Sequence, residues 1–369
     1  MWHVYQPVEV IFGEGSITKI GEILQKFGSE RAFLICTPSS VKNGTAERLR
    51  TYADGRIVGI STDVHPEASV EDVDNNTAKA LELNADCVIG LGGGSAMDCT
   101  KCVAICVKQR LHASDILFGA QNVDAVPIVL IPTTAGTGSE VTQGAGLIDK
   151  ERNIPGGIDG RFATAAIVDP ELTYTLPKSV TVHSGFDALA HALDTLSRTN
   201  LHPYSRQLAV CAAREAMENL ETAAEQPDNK EARHNMMEAS LLAGLACSQT
   251  GLAGPHACGM VLGGMFRLPH GAAVAFTLDH WLRLNAQANP LIHEYAREIG
   301  FADANALADK IVEMKKKFGL PLTLRELGGT EEMIETLAQG AAANFFGWME
   351  GNCAPQSLEQ MREFYRKLL

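Results

Sequence analysis

Positive charge is scarce in this sequence of 369 residues. Lysine and arginine number 31 against 44 aspartate and glutamate residues, which gives a formal net charge of −13. Nucleic-acid phosphates need a surface rich in lysine and arginine, so this balance argues against a nucleic-acid partner. Hydrophobic residues make up 46% and charged residues 20% of the chain, which is typical of a soluble globular protein. The length is comfortable for two domains of ordinary size.

The sequence also lacks the cysteine pattern of a disulfide framework. Its nine cysteines are an odd number and are scattered along the chain. This pattern favours reduced thiols and a cytoplasmic location. Cys99, Cys102 and Cys106 have the spacing of one helical face, and we interpret them as buried structural thiols instead of a metal cluster.

Features of export and of membrane insertion are missing too. Residues 1–5 contain no basic region followed by an apolar core, so no secretion signal is predicted. Residues 240–266 contain no Asp, Glu, Lys or Arg, but polar residues and Pro255 interrupt them, and many of their apolar residues are Ala and Gly. We therefore predict a buried pair of helices there and no membrane span.

Short apolar, β-branched runs alternate with helical patterns in the first half of the chain, which predicts a parallel α/β sheet covered on both faces. Strands are predicted at 31–36, 56–60, 86–91, 126–131 and 165–169, and helices at 16–27, 69–83 and 96–108. Beyond residue 177 strand patterns nearly vanish, and helices are predicted at 205–224, 228–247, 290–298, 304–317, 330–343 and 357–369. The predicted organisation is a Rossmann-like α/β domain at residues 1–178 and an all-α domain at residues 179–369.

Two loops that follow predicted strands have the features of a dinucleotide site. Residues 90–95, Gly-Leu-Gly-Gly-Gly-Ser, connect a strand to a helix, where glycines let the backbone approach a ligand and the helix N-terminus favours phosphate. Residues 132–140, Pro-Thr-Thr-Ala-Gly-Thr-Gly-Ser-Glu, also follow a strand and are rich in hydroxyl groups. Two such loops at one sheet edge fit a pyrophosphate and a nicotinamide ribose. Neither loop matches the G-x-G-x-x-G fingerprint.

A second polar arrangement lies in the predicted helical half. Asp187 and His191 are four residues apart, so a helix places them on one face. A carboxylate and an imidazole at that spacing make half of a divalent-metal site. His256 and His270 lie fourteen positions apart in a nearly charge-free segment, residues 251–271, and are candidates for the other half.

Five motifs follow one another along the chain: Gly-Gly-Gly-Ser-x-x-Asp at 92–98, Thr-Thr-Ala-Gly-Thr-Gly-Ser-Glu at 133–140, Val-Asp-Pro-Glu-Leu at 168–172, Gly-x-Asp-Ala-Leu-x-His at 185–191 and Pro-His-Gly at 269–271. Together they strongly resemble the iron-containing (group III) alcohol dehydrogenase family, part of the dehydroquinate synthase-like superfamily. The likeness runs almost from end to end, because residues 7–16 and 352–369 fit it as well.

The resemblance implies a dinucleotide-binding α/β domain and a helical metal- and substrate-binding domain, with the substrate in the cleft between them. It implies NAD(H), with NADP(H) possible, and a divalent metal, iron(II) or zinc. Family members are often dimers or larger, so a homo-oligomer is expected. By motif position the metal ligands would be Asp187, His191, His256 and His270. The cofactor residues would be Thr37, Gly92, Gly93, Gly94, Ser95, Asp98, Thr133, Thr134 and Thr137.

Three positions depart from the family pattern. Met260 stands where relatives usually have a histidine that is discussed as a proton relay, so we predict no catalytic residue beyond the metal ligands. Thr37 stands where relatives usually have an aspartate that accepts both ribose hydroxyls of NAD, which weakens the rejection of a 2′-phosphate. The Thr37-Pro38 step and the shortened loop 153–161 resemble maleylacetate reductases, a metal-free branch of the superfamily.

The leading hypothesis is a metal-dependent NAD(P)-linked alcohol dehydrogenase that reduces a small aldehyde. Arg267, three residues before His270, and Arg161 could clamp an anionic tail on the substrate, such as the sulfonate of sulfoacetaldehyde. One alternative is a metal-independent, maleylacetate reductase-like oxidoreductase, and another is a non-catalytic nucleotide-binding or assembly protein. The complete ligand set favours the metal enzyme, because buried imidazoles and a carboxylate are costly to keep without an ion.

Overall fold

Eight β-strands lie within the residues that this computed structural model describes, which are 1–117, 124–149, 154–158 and 160–369. They are β1 (Glu9–Phe12), β2 (Ala32–Cys36), β3 (Ile57–Ser61), β4 (Cys87–Gly92), β5 (Ile128–Pro132), β6 (Ala145–Asp149), β7 (Ile154–Ile158) and β8 (Ala165–Val168). Six of them form a parallel sheet in the order β1-β8-β5-β4-β2-β3, and β6 pairs with β7 in an antiparallel hairpin.

The parallel α/β architecture predicted from the sequence is confirmed. All five predicted strands are present, each within one or two residues of its predicted bounds. Every residue of β2, β4, β5 and β8 is buried, which explains their continuous apolar runs. Two features were not predicted. β1 is a half-buried edge strand of four residues, and β7 contains Pro155 and two glycines, which are unfavourable in strands.

Sixteen α-helices lie within the described ranges, six in the first half of the chain and ten from residue 178 onward. The first six are α1 (Ile20–Lys26), α2 (Pro38–Lys42), α3 (Thr45–Tyr52), α4 (Val70–Glu82), α5 (Gly94–Gln109) and α6 (Ala113–Ile116). The others are α7 (Lys178–Leu196), α8 (Pro203–Glu225), α9 (Lys230–Thr250), α10 (Gly254–Phe266), α11 (His270–Ala288), α12 (Leu291–Ile299), α13 (Ala304–Lys317), α14 (Ile334–Gln339), α15 (Phe346–Glu350) and α16 (Leu358–Lys367). The all-helical second half is therefore confirmed.

One predicted helix is wrong in its extent. Residues 330–343 were predicted as one helix, but they form a 3-10 turn, α14 and the start of a π-helical turn at Gly340–Asn344. Gly340 lies against α10, and a Cβ at this position would be 2.8 Å from Cγ2 of Val261. The helix changes from α to π at this close contact. The contact is with a distant part of the chain, so the local sequence periodicity does not indicate it.

Contacts along the chain define two compact units, each with its own core. The sheet unit contains residues 5–134 and 138–175, and the helical unit contains residues 1–4, 135–137 and 176–369. Apolar residues of β2, β4, β5, α1 and α3 fill the core of the sheet unit. Side chains of α10, α11, α14 and α16, among them Trp281 and Tyr365, fill a core of the helical unit. No described helix has both the length and the hydropathy of a segment that crosses a bilayer.

The cysteines agree with the prediction of free, structural thiols. All nine are free, and Cys99, Cys102 and Cys106 are fully buried along α5. Burial raises the pKa of each of these three thiols well above its ordinary value. They are therefore protonated at neutral pH and act as small apolar core residues.

Candidate metal centre and cofactor loops

Helix α7 carries two of the predicted metal ligands on one face. Asp187 and His191 are both buried, with 2% and 6% of their surface exposed. The helix buries nearly every side chain from residue 185 to 196, Phe186, Leu189 and Leu193 included. His191 Nδ1 lies 3.8 Å from Asp187 Oδ1, as expected for side chains one turn apart.

The other two predicted ligands reach the same carboxylate from neighbouring helices. His256 lies in the first turn of α10, and its Nε2 is 3.5 Å from Asp187 Oδ1. His270 is the first residue of α11, and its Nε2 is 3.4 Å from the same oxygen. The ligand atoms of Asp187, His256 and His270 all lie within 4.8 Å of one another. His191 stands beside this trio, with its ring centroid 4.4 Å from that of His256.

The hydrogen-bonding state of these side chains fits a cation. Asp187 Oδ1, His191 Nδ1 and His256 Nε2 are buried and have no hydrogen-bond partner among the described residues. Buried polar atoms without partners are rare in folded proteins, and three of them converge here. Two nitrogen or oxygen ligands about 2.0–2.1 Å from a tetrahedral ion lie about 3.4 Å apart, which agrees with the spacing of the trio. The donor set of imidazoles and a carboxylate suits iron(II) or zinc.

The pKa values of the predicted ligands are shifted by burial and by neighbouring charges. Burial alone would raise the pKa of the Asp187 carboxyl, but the surrounding imidazoles hold it well below its usual range. Burial lowers the pKa of His191 to about 4, so this imidazole is neutral at pH 7 and free to bind an ion. Burial also disfavours the charged form of His256, yet the carboxylates of Asp194 and Asp187 raise its pKa to about 9. Binding of an ion to Nε2 of His256 would therefore release a proton.

Asp194 supports the centre, although it was not predicted as a site residue. It is completely buried on α7, one turn beyond His191. Its Oδ2 accepts a hydrogen bond of 2.8 Å from His256 Nδ1 and another of 2.8 Å from the backbone N–H of Ala253. A carboxylate bound to the far nitrogen of a histidine fixes the ring and its tautomer. The spacing of residues 187, 191 and 194 on one face of an apolar helix is the pattern that could have identified Asp194.

Substitution of Asp194 by asparagine tests this support. Because the amide is uncharged and presents a donor as well as an acceptor, it holds His256 less firmly. We expect the affinity for zinc or iron(II) to fall by about 10- to 100-fold, as is typical when such a partner is lost. Metal titration against a competing chelator measures the change. Unchanged affinity in a folded Asp194→Asn protein would show that this hydrogen bond does not position His256.

Two further predicted positions lie close along the chain to these ligands. Met260 is one turn beyond His256 on α10 and is partly buried. Arg267 ends α10 in a left-handed conformation, with φ of 54°, and its side chain is exposed. Its role toward a substrate stays a prediction. Arg161, in the sheet unit, has its Nη2 3.7 Å from Asp124 Oδ1 and so takes part in an ion pair.

The predicted cofactor residues of the sheet unit lie at the carboxyl ends of β2, β4 and β5. The chain continues from β2 to β3 on one side and then to β4 on the other, so the sheet has a topological switch point there. Thr37 follows β2, and its backbone N–H donates to the carbonyl of Leu91 on β4. A Cβ on Gly92 would be 3.0 Å from Thr37 Cγ2 and 2.7 Å from Ala96 Cβ. Only a glycine fits between these two side chains without a close contact.

The second loop packs against the glycines at the start of α5. Thr133 donates its backbone N–H to the carbonyl of Gly92 at 2.9 Å. A Cβ on Gly93 would be 3.2 Å from Thr134 Oγ1, so the two loops are in close contact. Gly94 and Ser95 begin α5, whose N-terminal N–H groups are suited to a pyrophosphate. Thr137 belongs to the stretch 135–137, which groups with the helical unit.

Asp98 is the one carboxylate among the predicted cofactor residues, and both of its oxygens have protein partners. Oδ1 accepts a hydrogen bond of 2.6 Å from Ser139 Oγ, and Oδ2 accepts one of 2.9 Å from the backbone N–H of Gly146. The nearby Lys101 Nζ is 3.8 Å from Oδ1. Lys101 was not predicted as a site residue.

Comparison with known proteins covers the whole chain. Residues 7–170 match the model of the family described as iron-containing alcohol dehydrogenase, and residues 181–369 match that of the C-terminal part of the Fe-containing alcohol dehydrogenase family. The 1-propanol dehydrogenase PduQ of Salmonella typhimurium is 32% identical over 97% of this chain and 97% of its own. The long-chain-alcohol dehydrogenase 1 of Geobacillus thermodenitrificans is also 32% identical, over 92% of this chain and 89% of its own.

Solved structures give the same result. A sulfoacetaldehyde reductase from Bifidobacterium kashiwanohense, in complex with NAD+, superposes with a TM-score of 0.95 and 33% identity, covering 100% of this chain and 98% of that one. A 1,3-propanediol oxidoreductase superposes with a TM-score of 0.93 and 28% identity, covering 100% of both chains.

Proposed function

Since this chain belongs to the iron-containing alcohol dehydrogenase family, we propose that it is an NAD(P)(H)-linked alcohol dehydrogenase that binds a divalent metal and reduces a small aldehyde. The observation that carries the metal part is the convergence of Asp187, His256 and His270 within 4.8 Å, together with the unpartnered buried atoms around them. A metal-free reductase would have no use for this set, and buried polar groups without partners are costly to keep. The set therefore favours the metal enzyme.

Four side chains would hold the ion: Asp187, His191, His256 and His270. An ion bound there supplies a Lewis acid for the substrate oxygen, and a bound nicotinamide supplies hydride. Asp187 contributes a carboxylate that stays ionised in its buried setting, because its pKa is held low. The hydrogen bond to Asp194 keeps one proton of His256 on Nδ1, so Nε2 is the nitrogen that would lose its proton to an ion. Burial of Asp187, His191 and His256 excludes water from one side of the centre, whereas the half-exposed His270 leaves the other side open.

The cofactor would bind to the carboxyl edge of the sheet. Gly92, Gly93, Gly94 and Ser95 would receive the pyrophosphate, and Thr133, Thr134 and Thr137 would line the nicotinamide half. The NAD+ complex of the similar sulfoacetaldehyde reductase supports a nicotinamide dinucleotide here. Thr37 carries no charge, and its hydroxyl lies 2.9 and 3.0 Å from those of Ser39 and Ser40. This uncharged group of hydroxyls admits a 2′-phosphate as well as a 2′-hydroxyl.

A Thr37→Asp variant tests the placement of the adenosine ribose. The new carboxylate can accept both ribose hydroxyls of NADH but repels the 2′-phosphate of NADPH. We expect the ratio of kcat/KM for NADH to that for NADPH to rise by about tenfold or more, the effect of about 1.4 kcal/mol. Thr37→Ser is the matched control and should keep the wild-type ratio. An unchanged ratio in both variants would mean that Thr37 does not face the ribose.

The substrate class is the finer part of the proposal. Arg267 is exposed at the end of α10, three residues before His270, and a guanidinium there suits a sulfonate, phosphonate or carboxylate tail. A similar protein of known structure is a sulfoacetaldehyde reductase, which makes sulfoacetaldehyde the first aldehyde to assay.

The function is tested with metal-loaded protein, NADH and NADPH, and a panel that contains sulfoacetaldehyde and neutral propanal. No aldehyde-dependent oxidation of either cofactor would refute it. The homo-oligomeric state and the cytoplasmic location stay predictions.

A further inference from the structure

Lys101 is a buried lysine of the sheet unit that the proposed chemistry does not use. Its side chain is completely buried on α5. Nζ donates hydrogen bonds of 2.8 Å to Ser139 Oγ and of 2.8 Å to the carbonyl of Gly144. An ammonium group in a protein interior is costly unless it is hydrogen-bonded and paired with a carboxylate. Burial of Lys101 therefore depends on these partners and on a nearby carboxylate.

Asp98 supplies the carboxylate, one turn earlier on α5. Its Oδ1 is 3.8 Å from Nζ, and the hydroxyl of Ser139 lies between the two charges. That hydroxyl accepts a hydrogen bond from the ammonium of Lys101 and donates its only proton to Asp98. Oδ2 of Asp98 binds the backbone N–H of Gly146 on β6. We refer to Asp98, Lys101, Ser139, Gly144 and Gly146 as the Lys101 clamp.

The clamp fastens one end of loop 133–139, and the glycine loop fastens the other. At its start, Thr133 donates to Gly92, and Thr134 lies against Gly93. At its end, Ser139 is bound to Asp98 and Lys101, which lie in the second turn of α5. The loop is thus tied to the turn between β4 and α5 before residue 135 and to α5 itself at residue 139.

Charge balance in the clamp depends on a further buried carboxyl group. Glu140 is 1% exposed, and neither of its carboxyl oxygens has a hydrogen-bond partner among the described residues. Burial raises the pKa of this carboxyl to about 7, although Lys101 acts in the opposite direction.

We propose that Lys101 is a positioning residue for the dinucleotide. Through Ser139 and Asp98 it holds loop 133–139 at the correct distance from the glycines that begin α5. The inference rests on the proposed function, because these two segments are the ones assigned to the nicotinamide ribose and the pyrophosphate. It also gives Asp98 a different role from the predicted one: Asp98 orders the loop and does not contact the cofactor.

Binding of NADH to a Lys101→Met protein tests the inference, with NADPH used if the wild type prefers it. Methionine fills a similar volume but makes none of the clamp's hydrogen bonds. We expect the Kd for the cofactor to rise by about tenfold or more, because the loop would lose the hydrogen bonds that hold it and each 1.4 kcal/mol of binding free energy is a factor of ten in Kd. The metal content should remain that of the wild type, since the clamp lies in the sheet unit. Fluorescence titration and metal analysis measure the two quantities.

A second lysine of this chain provides the matched control. Lys315, in the helical unit, is also fully buried, and its Nζ binds Asp279 Oδ1 at 2.6 Å and the carbonyl of Phe276 at 2.8 Å. Lys315→Met should lower the melting temperature to a similar extent but leave the cofactor Kd unchanged. Equal weakening of cofactor binding in both variants would overturn the inference, because the effect would then be one of general stability.

Variants of Ser139 test the same contact without removing a charge. Ser139→Ala should raise the Kd in the same direction, and Ser139→Thr, which keeps the hydroxyl, should restore affinity toward the wild-type value. A Lys101→Met, Ser139→Ala double variant should bind no more weakly than Lys101→Met alone, because the two residues act as one unit. If folded Lys101→Met and Ser139→Ala proteins bind the cofactor with wild-type affinity, the inference is overturned but the proposed function is not. Failure of the wild-type protein to bind either cofactor would overturn the proposed function and the inference with it.

Discussion

An Asp187→Ala protein is expected to bind no stoichiometric metal and to lose about 10³-fold or more in kcat. Asp187 is the one carboxylate to which the three imidazoles of the centre are directed, at 3.4, 3.5 and 3.8 Å. Its removal leaves neutral nitrogen ligands without the negative charge that offsets a divalent ion. A bound Lewis acid contributes several kcal/mol to the stabilisation of the transition state, and each 1.36 kcal/mol is a factor of ten in rate.

The readouts for this variant are metal content per chain, aldehyde-dependent NADH oxidation and NADH affinity. Cofactor affinity should stay near the wild-type value, because the cofactor residues Gly92–Ser95 belong to the sheet unit. Asp279→Asn is the matched control, since Asp279 is a buried carboxylate of the helical unit that is paired with Lys315 outside the centre. It should reduce stability but keep the metal. Turnover by an Asp187→Ala protein shown to be free of metal would refute the role assigned to the ion.

The second large effect is expected at Gly271, where two helices of the centre meet backbone to backbone. A Cβ at Gly271 would be 1.9 Å from the carbonyl oxygen of His183 on α7 and 3.3 Å from Asp187 Cβ. Since a backbone carbonyl within a helix has little freedom to move, an alanine at 271 must push α11 away from α7. His270, the preceding residue, would move with it and lose its distance of 3.4 Å from Asp187.

We expect Gly271→Ala to weaken metal binding by about 100-fold or more and to destabilise the fold by about 1–3 kcal/mol, the usual range for overpacking. Gly264→Ala is the control, because a Cβ at this position of α10 meets no atom within 4 Å. Alanine is favoured over glycine within a helix, so the control should be as stable as the wild type or slightly more so. Metal titration and thermal unfolding measure both variants. Wild-type affinity in Gly271→Ala would show that the approach of α11 to α7 does not set the centre.

Elements of the fold could be predicted from the sequence where every residue is buried, because the sequence there is a continuous apolar run. Strands such as β4 and β5 are buried on every residue, so their apolar runs are clear. The edge strand β1 is short and half-buried, and β7 contains Pro155 and two glycines, so neither has a pattern that predicts a strand. The broken helix at 330–343 shows the same limit, because the contact of Gly340 with Val261 is distant in sequence.

Residues of the candidate site could be predicted where they belong to a sequence motif. Residues whose roles depend on contacts between distant parts of the chain could not. Asp187 and His191 follow from their spacing on one helix, whereas the approach of His256 and His270 to the same oxygen depends on how α10 and α11 pack on α7. The spacing of Asp194 from Asp187 and His191 places it on the same helical face, but its partner, His256, is seen only in the structure. Likewise, the partners of Asp98 are Ser139 and Gly146, more than 40 residues away in sequence, and no motif indicated them.

X-ray absorption spectroscopy of the protein loaded with zinc tests most directly that Asp187 and the three histidines bind one divalent ion. We predict one ion per chain, a shell of nitrogen and oxygen ligands at about 2.0–2.1 Å, and the outer scattering of several imidazoles. The Asp187→Ala protein should lose this spectrum. A shell with sulfur at about 2.3 Å would place the ion on cysteines, and an ion count far below one per chain would leave the centre without its metal. Either result would contradict the assignment of these four residues.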